Sequence, residues 1–235
     1  MKKRLIIGVL FVVMLVLTGC FGSPGVDTRI EEIDVSTRIV RTTEVRGEQN
    51  ITFSELHYIK DDKLYKVWFS EELRPALDWL HANSRPDDRV LTWWDNGHMI
   101  RGYARREPLM YSPSRSILST VAKGKWDQEK LGPFADETLA TNVAYAFLAD
   151  SPTITQGVMK RNGARWIFAA RADQKKIAGM TILLEEDMKE YIDDLGDPKA
   201  TVRHKVIFRV SEGWPLKGLN LRYEDDYAYV YELAE

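Results

Sequence analysis

Between Thr28 and Phe69 apolar and polar residues alternate: Ile30, Ile33 and Val35, then Ile39, Val45, Ile51 and Phe53, and finally Leu64-Tyr65-Lys66-Val67-Trp68. Period-two patterning rich in β-branched and aromatic side chains predicts half-buried strands, and the breaks at Arg46-Gly47 and Asp61-Asp62 make them antiparallel neighbours. After Ser70 the period changes. Ser70 followed by Glu71 and Glu72 reads as a helix N-cap with acids in the first turn, where they meet the positive end of the helix dipole. Leu73, Leu77, Leu80 and His81 then share one face, with Trp79 beside them, and Pro86 marks the exit. Residues 89–92 predict a short strand bounded by an Asp95-Asn96-Gly97 turn. Two helices follow, over 136–148 and from Ser151-Pro152 to Gly163, the second with Pro at its start and Gly past its end. Trp166-Ile167-Phe168 reads as a buried strand, 173–194 as one long helix, and 206–210, 219–223 and 227–231 as closing strands. The expected architecture is mixed α/β: a single globular α/β domain over residues 70–235, preceded by a small N-terminal β segment over 28–69.

Composition narrows the class further. With 44% hydrophobic and 29% charged residues, the chain has enough apolar material for a packed core, which excludes a disordered polymer. Lys and Arg total 33 against 35 Asp and Glu, a formal net charge of −2. No basic run stands out either, so a nucleic-acid partner is not expected. The chain holds 1 Cys, which leaves no intrachain disulfide to staple the fold.

That cysteine has a distinctive setting. Met1 is followed by Lys2, Lys3 and Arg4, then by an apolar run from Leu5 to Leu17 interrupted by Gly8, then by Thr18-Gly19-Cys20. This is the three-part layout of an export signal, and the run falls short of the roughly 20 residues a spanning helix needs. Leu17-Thr18-Gly19-Cys20 resembles the lipobox of exported lipoproteins, which implies a signal peptide over 1–19, lipidation of Cys20 and a tether over 20–27. The expected location is the cell membrane, lipid-anchored on the extracytoplasmic face. An uncleaved signal anchor is the alternative reading.

The four histidines, His57, His81, His98 and His204, are far apart and stand in no ligand-type spacing, so neither a metal site nor a cofactor is expected. Neither G-x-S-x-G nor a glycine-rich phosphate loop occurs. Acidic pairs such as Asp61-Asp62 and Asp225-Asp226 read as solvated turns. One segment is unusual: Trp93-Trp94-Asp95, two indole N–H donors and a carboxylate acceptor at a strand end. Such a cluster can grip a small hydroxyl group. Taken by itself it also fits a core aromatic pair with Asp95 capping the next helix.

Its neighbourhood adds a second motif. Residues 77–98, ending in Thr92-Trp93-Trp94-Asp95-Asn96-Gly97-His98, resemble the WWDYG region of oligosaccharyltransferase catalytic subunits in its archaeal form. Gly163-Ala164-Arg165-Trp166-Ile167-Phe168 is similar to the strand that precedes that family's second motif, and Asp173, Lys176 and Met180 match the motif itself, DxxKxxxM. The closing segments 219–224 and 229–232 resemble the last hairpin of the family's soluble C-terminal domain. The resemblance implies a pocket for the Ser or Thr of an Asn-x-Ser/Thr acceptor. Trp93, Trp94 and Asp95 would bond the hydroxyl, Met180 would touch the Thr methyl, and Asp173 and Lys176 would hold their helix against the cluster. Asn96 departs from the family, which has Tyr there, so an aromatic support is expected to be lost. The family's polytopic membrane region, with its metal-binding acids, has no counterpart in the first 69 residues. The expectation is therefore a stand-alone lipoprotein with no catalytic residue, binding a polypeptide acceptor or a membrane oligosaccharyltransferase. A component completing a transferase in trans, or a structural envelope protein with no peptide pocket, are the alternatives.

Overall fold

The computed structural model describes residues 26–111 and 137–234. The signal segment, Cys20, most of the tether and Asp136 lie outside the described residues. Four strands form the expected antiparallel meander: β1 (Val26–Asp34), β2 (Thr37–Arg46), β3 (Gln49–Lys60) and β4 (Lys63–Trp68). Asp61 and Asp62, with φ of 52 and 57, occupy the left-handed positions of a two-residue hairpin turn, which Asp tolerates better than most side chains. Register then fixes the buried face. Ile39 pairs with Leu56 and Thr37 with Tyr58, and these inward residues are buried while Phe53, Ile59, Leu64 and Trp68 are exposed.

The second sheet has five strands in the order β6-β5-β7-β9-β8. They are β5 (Arg89–Leu91), β6 (Glu107–Pro108), β7 (Ala164–Ala170), β8 (Leu219–Glu224) and β9 (Ala228–Leu233). β5 runs parallel to β6 and β7, whereas β9 is antiparallel to both β7 and β8. The alternation along β7 divides the core between two faces. Ile167 and Ala169 join the cluster built from α3 (Glu137–Leu148), α4 (Pro152–Arg161), α5 (Ile177–Leu183) and α6 (Val206–Val210). Trp166, Phe168 and Ala170 point the other way, to α1 (Arg74–Asn83) and to the π-turn Ile100–Ala104 that extends α2 (Trp94–Met99). Ile39, Leu56 and Tyr58 of the meander close this second cluster from outside, so the β segment packs on the same core as the α/β unit.

Several expected elements differ. Ser70 makes no side-chain cap: residues 71–73 form a 3-10 turn, and α1 begins at Arg74 with Pro75 in its first turn. His81 is exposed, and Ala76 takes its place among the buried residues of that helix face. Residues 95–97 lie inside α2 instead of forming a turn. A Cβ at Gly97 would sit 2.3 Å from the Met110 carbonyl oxygen, so the glycine serves a close chain crossing. The long helix expected over 173–194 is a 3-10 turn followed by α5. It stops because Glu185 turns left-handed (φ 56), while the Glu185 and Glu186 N–H groups bond back to the carbonyls of Ile182 and Thr181, closing a Schellman motif. Residues 206–210 form α6, not a strand. Val206, Ile207, Phe208 and Val210 are all enclosed, and burial on every side overrides the β preference of the branched residues.

A charged network clamps the meander to α1. Glu31 accepts from Arg74 Nη2 at 2.6 Å, Arg74 Nη1 at 3.1 Å and Arg41 Nη2 at 2.8 Å, while Arg41 Nε reaches Glu71 at 2.5 Å. Hydrogen bonds from Arg74 and Arg41 hold the Glu31 carboxyl down at about 2. Glu31→Gln is expected to lower the unfolding free energy near neutral pH by about 1 kcal/mol, as suits a partly exposed network. The contribution is complete above the ordinary pKa of 4.5 and is lost as pH falls toward 2, so urea unfolding of variant and wild type should converge across that window.

Candidate functional site

β5 and β7 are parallel neighbours, with Val90 beside Trp166 and Leu91 beside Ile167, so the segments leaving their C-terminal ends emerge at the same edge of the sheet. Thr92 fastens that edge by donating from Oγ1 to the Phe168 carbonyl at 2.9 Å. Trp93, still extended, leads into α2, and the Trp93 and Trp94 rings meet edge to face, 6.0 Å between centroids. From β7 the chain enters the 3-10 turn Arg171–Lys176 and then α5. Gly179 of α5 faces Trp93, where an added Cβ would lie 3.4 Å from the indole.

Asp173 is the buried centre of this junction, 1% exposed. Its Oδ2 accepts from the Ala170 N–H at 2.9 Å, capping the 3-10 turn, and from Asn96 Nδ2 at 2.9 Å, reaching across to α2. Burial pushes its carboxyl up to about 7, against the opposing pull of Lys176, the Ala170 N–H and Asn96. Asn96, expected in a turn and as a lost support, thus supplies a polar support from within a helix. Nothing in the sequence pattern singled it out for this. An Asn four residues after Thr92, opposite a buried Asp, becomes recognisable once the two strands are known to be adjacent.

At the surface of the junction the Lys176 ammonium pairs with Asp95 Oδ2, across 81 positions of sequence. Both groups stay partly exposed, with side-chain exposures of 35% and 26%. They stand at the wall of a groove of about 550 Å³. Asp95, Asn96, Asp173 and Lys176 contribute to its lining, and Trp68, Leu73 and Tyr227 supply apolar surface. Trp93, Trp94 and Met180 do not line the groove; they lie behind it in the core, Met180 fully enclosed. Among the described residues the buried Trp93 Nε1 donor has no acceptor, an unusual state for an indole N–H. The structure therefore brings Asp95, Lys176 and Asp173 together at the groove and sets Trp93, Trp94 and Met180 as its backing. Trp68 and Tyr227 were not anticipated, because a strand end and a hairpin turn give no sequence sign that they share a cleft.

The ion pair and the groove can do simple chemistry. A hydroxyl has one donor and two acceptor lone pairs. Asp95 accepts and Lys176 donates, so a hydroxyl inserted beside the pair would find both complements.

No family model matches the chain. A stretch of 53 residues is 46% identical to dolichyl-phosphooligosaccharide-protein glycotransferase 2 of Pyrococcus furiosus, covering 22% of this chain and 7% of that protein. Another of 66 residues is 32% identical to the dolichyl-diphosphooligosaccharide-protein glycosyltransferase subunit stt3 of Schizosaccharomyces pombe, covering 27% of this chain and 9% of that protein. The matched part thus spans less than a tenth of either relative's length. Among solved structures, the C-terminal globular domain of an oligosaccharyltransferase from Archaeoglobus fulgidus superimposes with a TM-score of 0.51 at 15% identity, covering 70% of this chain and 98% of that one.

Asp173→Asn keeps a carbonyl oxygen for both donors and removes the titration. Because the folded-state pKa of about 7 lies above the ordinary 3.8, the folded form binds more protons between those values, and wild-type stability falls as pH rises through the window. The variant lacks that slope. The difference in urea unfolding free energy should move toward the variant by about 1 kcal/mol or more from pH 4 to pH 8, and a pH-independent difference would refute the assignment.

In local sequence the chain resembles oligosaccharyltransferase catalytic subunits, and in fold it is a mixed α/β protein like their archaeal C-terminal globular domain.

Proposed function

We propose that this chain is an acceptor-recognition protein of N-glycosylation that holds the hydroxyl of Ser or Thr in an Asn-x-Ser/Thr segment and does not transfer glycan alone. The carrying observation is the Asp95–Lys176 pair at the groove wall, braced from below by Asp173 and Asn96. The acceptor hydroxyl donates to Asp95 while its oxygen accepts from Lys176. The apolar surfaces of Trp68, Leu73 and Tyr227 lie along the flanking peptide. Trp93, Trp94 and Met180 back the pocket from the core. The relatives are glycotransferases acting on protein, of which the matched part of this chain is a small fraction. Transfer belongs to a membrane oligosaccharyltransferase that this chain accompanies. The Lys2–Cys20 pattern supports a lipid anchor at Cys20 on the extracytoplasmic face, and mass spectrometry of the native N-terminus should find lipid on that cysteine.

Two or three hydrogen bonds, one of them to a carboxylate, and little buried area predict a dissociation constant near 1 mM, by order of magnitude. In a chemical-shift titration an Asn-x-Thr peptide should move the Asp95 and Lys176 resonances. Asn-x-Val keeps the shape but leaves both charged partners unmatched, and should bind at least about tenfold more weakly. Asp95→Ala should abolish the distinction. Equal shifts for both peptides would remove the sequon reading, and glycan transfer by the purified chain without a membrane subunit would overturn the non-catalytic one.

A further inference from the structure

A second cavity, of about 300 Å³, opens where the meander meets the π-turn, away from the groove. Ser36 and Thr37 of the β1–β2 turn, Lys60 at the end of β3, and Arg101, Arg105, Arg106 and Glu107 contribute to its lining. Among the described residues the lining therefore holds four cationic side chains and one carboxylate.

The two more buried cations are poorly balanced by anions. Arg101 has a side-chain exposure of 10%, and its Nε and Nη1 have no hydrogen-bond acceptor among the described residues. Its guanidinium lies between the rings of Tyr65 and Tyr111, 5.6 and 4.9 Å from their centroids. The nearest carboxylates are distant or solvated. Asp61 Oδ2 stands 3.3 Å from Nη2 on a side chain 75% exposed, and Glu107 Oε2 stands 3.7 Å from Nε. Arg106, 5% exposed, spends its donors on neutral oxygens: the carbonyls of His81, Ser84, Ala104 and Arg105 and the Ser84 hydroxyl. Its hydrogen bonds are satisfied by these neutral groups, while the nearby Asp88 carboxylate, itself bonded to Arg85, favours its charge against the cost of burial. Arg105, in the left-handed region (φ 56), is held by the Asp34 carboxylate. Lys60 is exposed at the rim.

We propose that this cavity is an oxyanion site that takes a phosphate group, held by Lys60 and Arg101 with the positive charge of Arg106 behind them. Guanidinium groups suit phosphate because their planar N–H array matches its oxygens, and a partly desolvated cation gains most from a counter-ion brought to it. On binding, the Arg101 guanidinium turns from its long contacts with Asp61 and Glu107 toward the ligand. The phosphate comes from a lipid headgroup or a soluble phosphoester; both present the same charge and oxygens. The site stands on residues separate from the groove, so it does not depend on the acceptor reading.

The test is a titration of the full chain, held in an uncharged maltoside detergent, with inorganic phosphate, followed by calorimetry and by the Gly102 amide resonance. Saturable binding that weakens with added sodium chloride is expected. The rim variants carry the decisive signs. Lys60→Gln should weaken binding by about two- to fivefold, and Glu107→Gln, which removes a competing carboxylate, should tighten it by a similar factor. Lys60 is exposed and Glu107 half-buried with its side chain 43% exposed, so these changes threaten the fold less than Arg101→Gln would. Glycerol phosphate and dispersed phosphatidylglycerol, added separately, separate the sources. Preference for the dispersed lipid indicates a headgroup, and equal or better binding of glycerol phosphate a soluble ester. No saturable binding at millimolar phosphate, or an affinity that neither rim variant changes, would overturn the proposal.

Discussion

A single buried carboxylate organises the groove. Asp173 accepts through Oδ2 from two directions, from Ala170 on its own turn and from Asn96 on α2, and this fixes the turn after β7 against the helix after β5. Lys176 lies three residues further along the same turn and comes within reach of Asp95. An ionised carboxylate in such surroundings is costly, and burial raises its affinity for a proton. A core Asp held by two donors thus exchanges stability at high pH for a defined position of the exposed pair.

The sheet makes this junction possible. Parallel pairing of β5 and β7 brings together loops that are far apart in sequence, at the carboxyl ends of strands where open α/β sheets commonly place ligands. The sheet is packed on both faces, so those strand ends are held by α3, α4 and α6 on one side and by α1 and the meander on the other. The meander adds more than bulk. Its Trp68 borders the groove, its Tyr58 packs on Gly102, and its Lys60 borders the oxyanion cavity. The region that looks like an appendage in sequence contributes to both recesses.

Elements with a strong period were readable from sequence. The antiparallel meander with its turns at Arg46-Gly47 and Asp61-Asp62, α1, α4, β7 and the β8–β9 hairpin follow from alternation or a helical stripe together with turn residues, whereas the turn between β1 and β2 carried no Gly or Pro to mark it. Where the reading failed, tertiary context decided. Residues 206–210 look like a strand because Val, Ile and Phe dominate, yet complete enclosure makes them a helical turn. The helix expected to run to Asp194 ends at a Schellman motif with Glu at the left-handed position, where Gly would have signalled the stop. The two motifs of the groove were visible as a resemblance, and the contact between Asp95 and Lys176 follows from it. The support given by Asn96 was not visible, because a hydrogen bond between residues 77 positions apart leaves no local pattern.

The central claim is that Asn96 and Asp173 act as one unit. A double-mutant cycle with Asn96→Ala, Asp173→Ala and the double variant, read by urea unfolding at pH 7, measures their coupling directly. A coupling energy of about 1–3 kcal/mol is expected for a buried bond between an amide and a carboxylate. Additive effects, with a coupling within about 0.3 kcal/mol of zero, would mean that the two residues are independent and that the groove is positioned by something else.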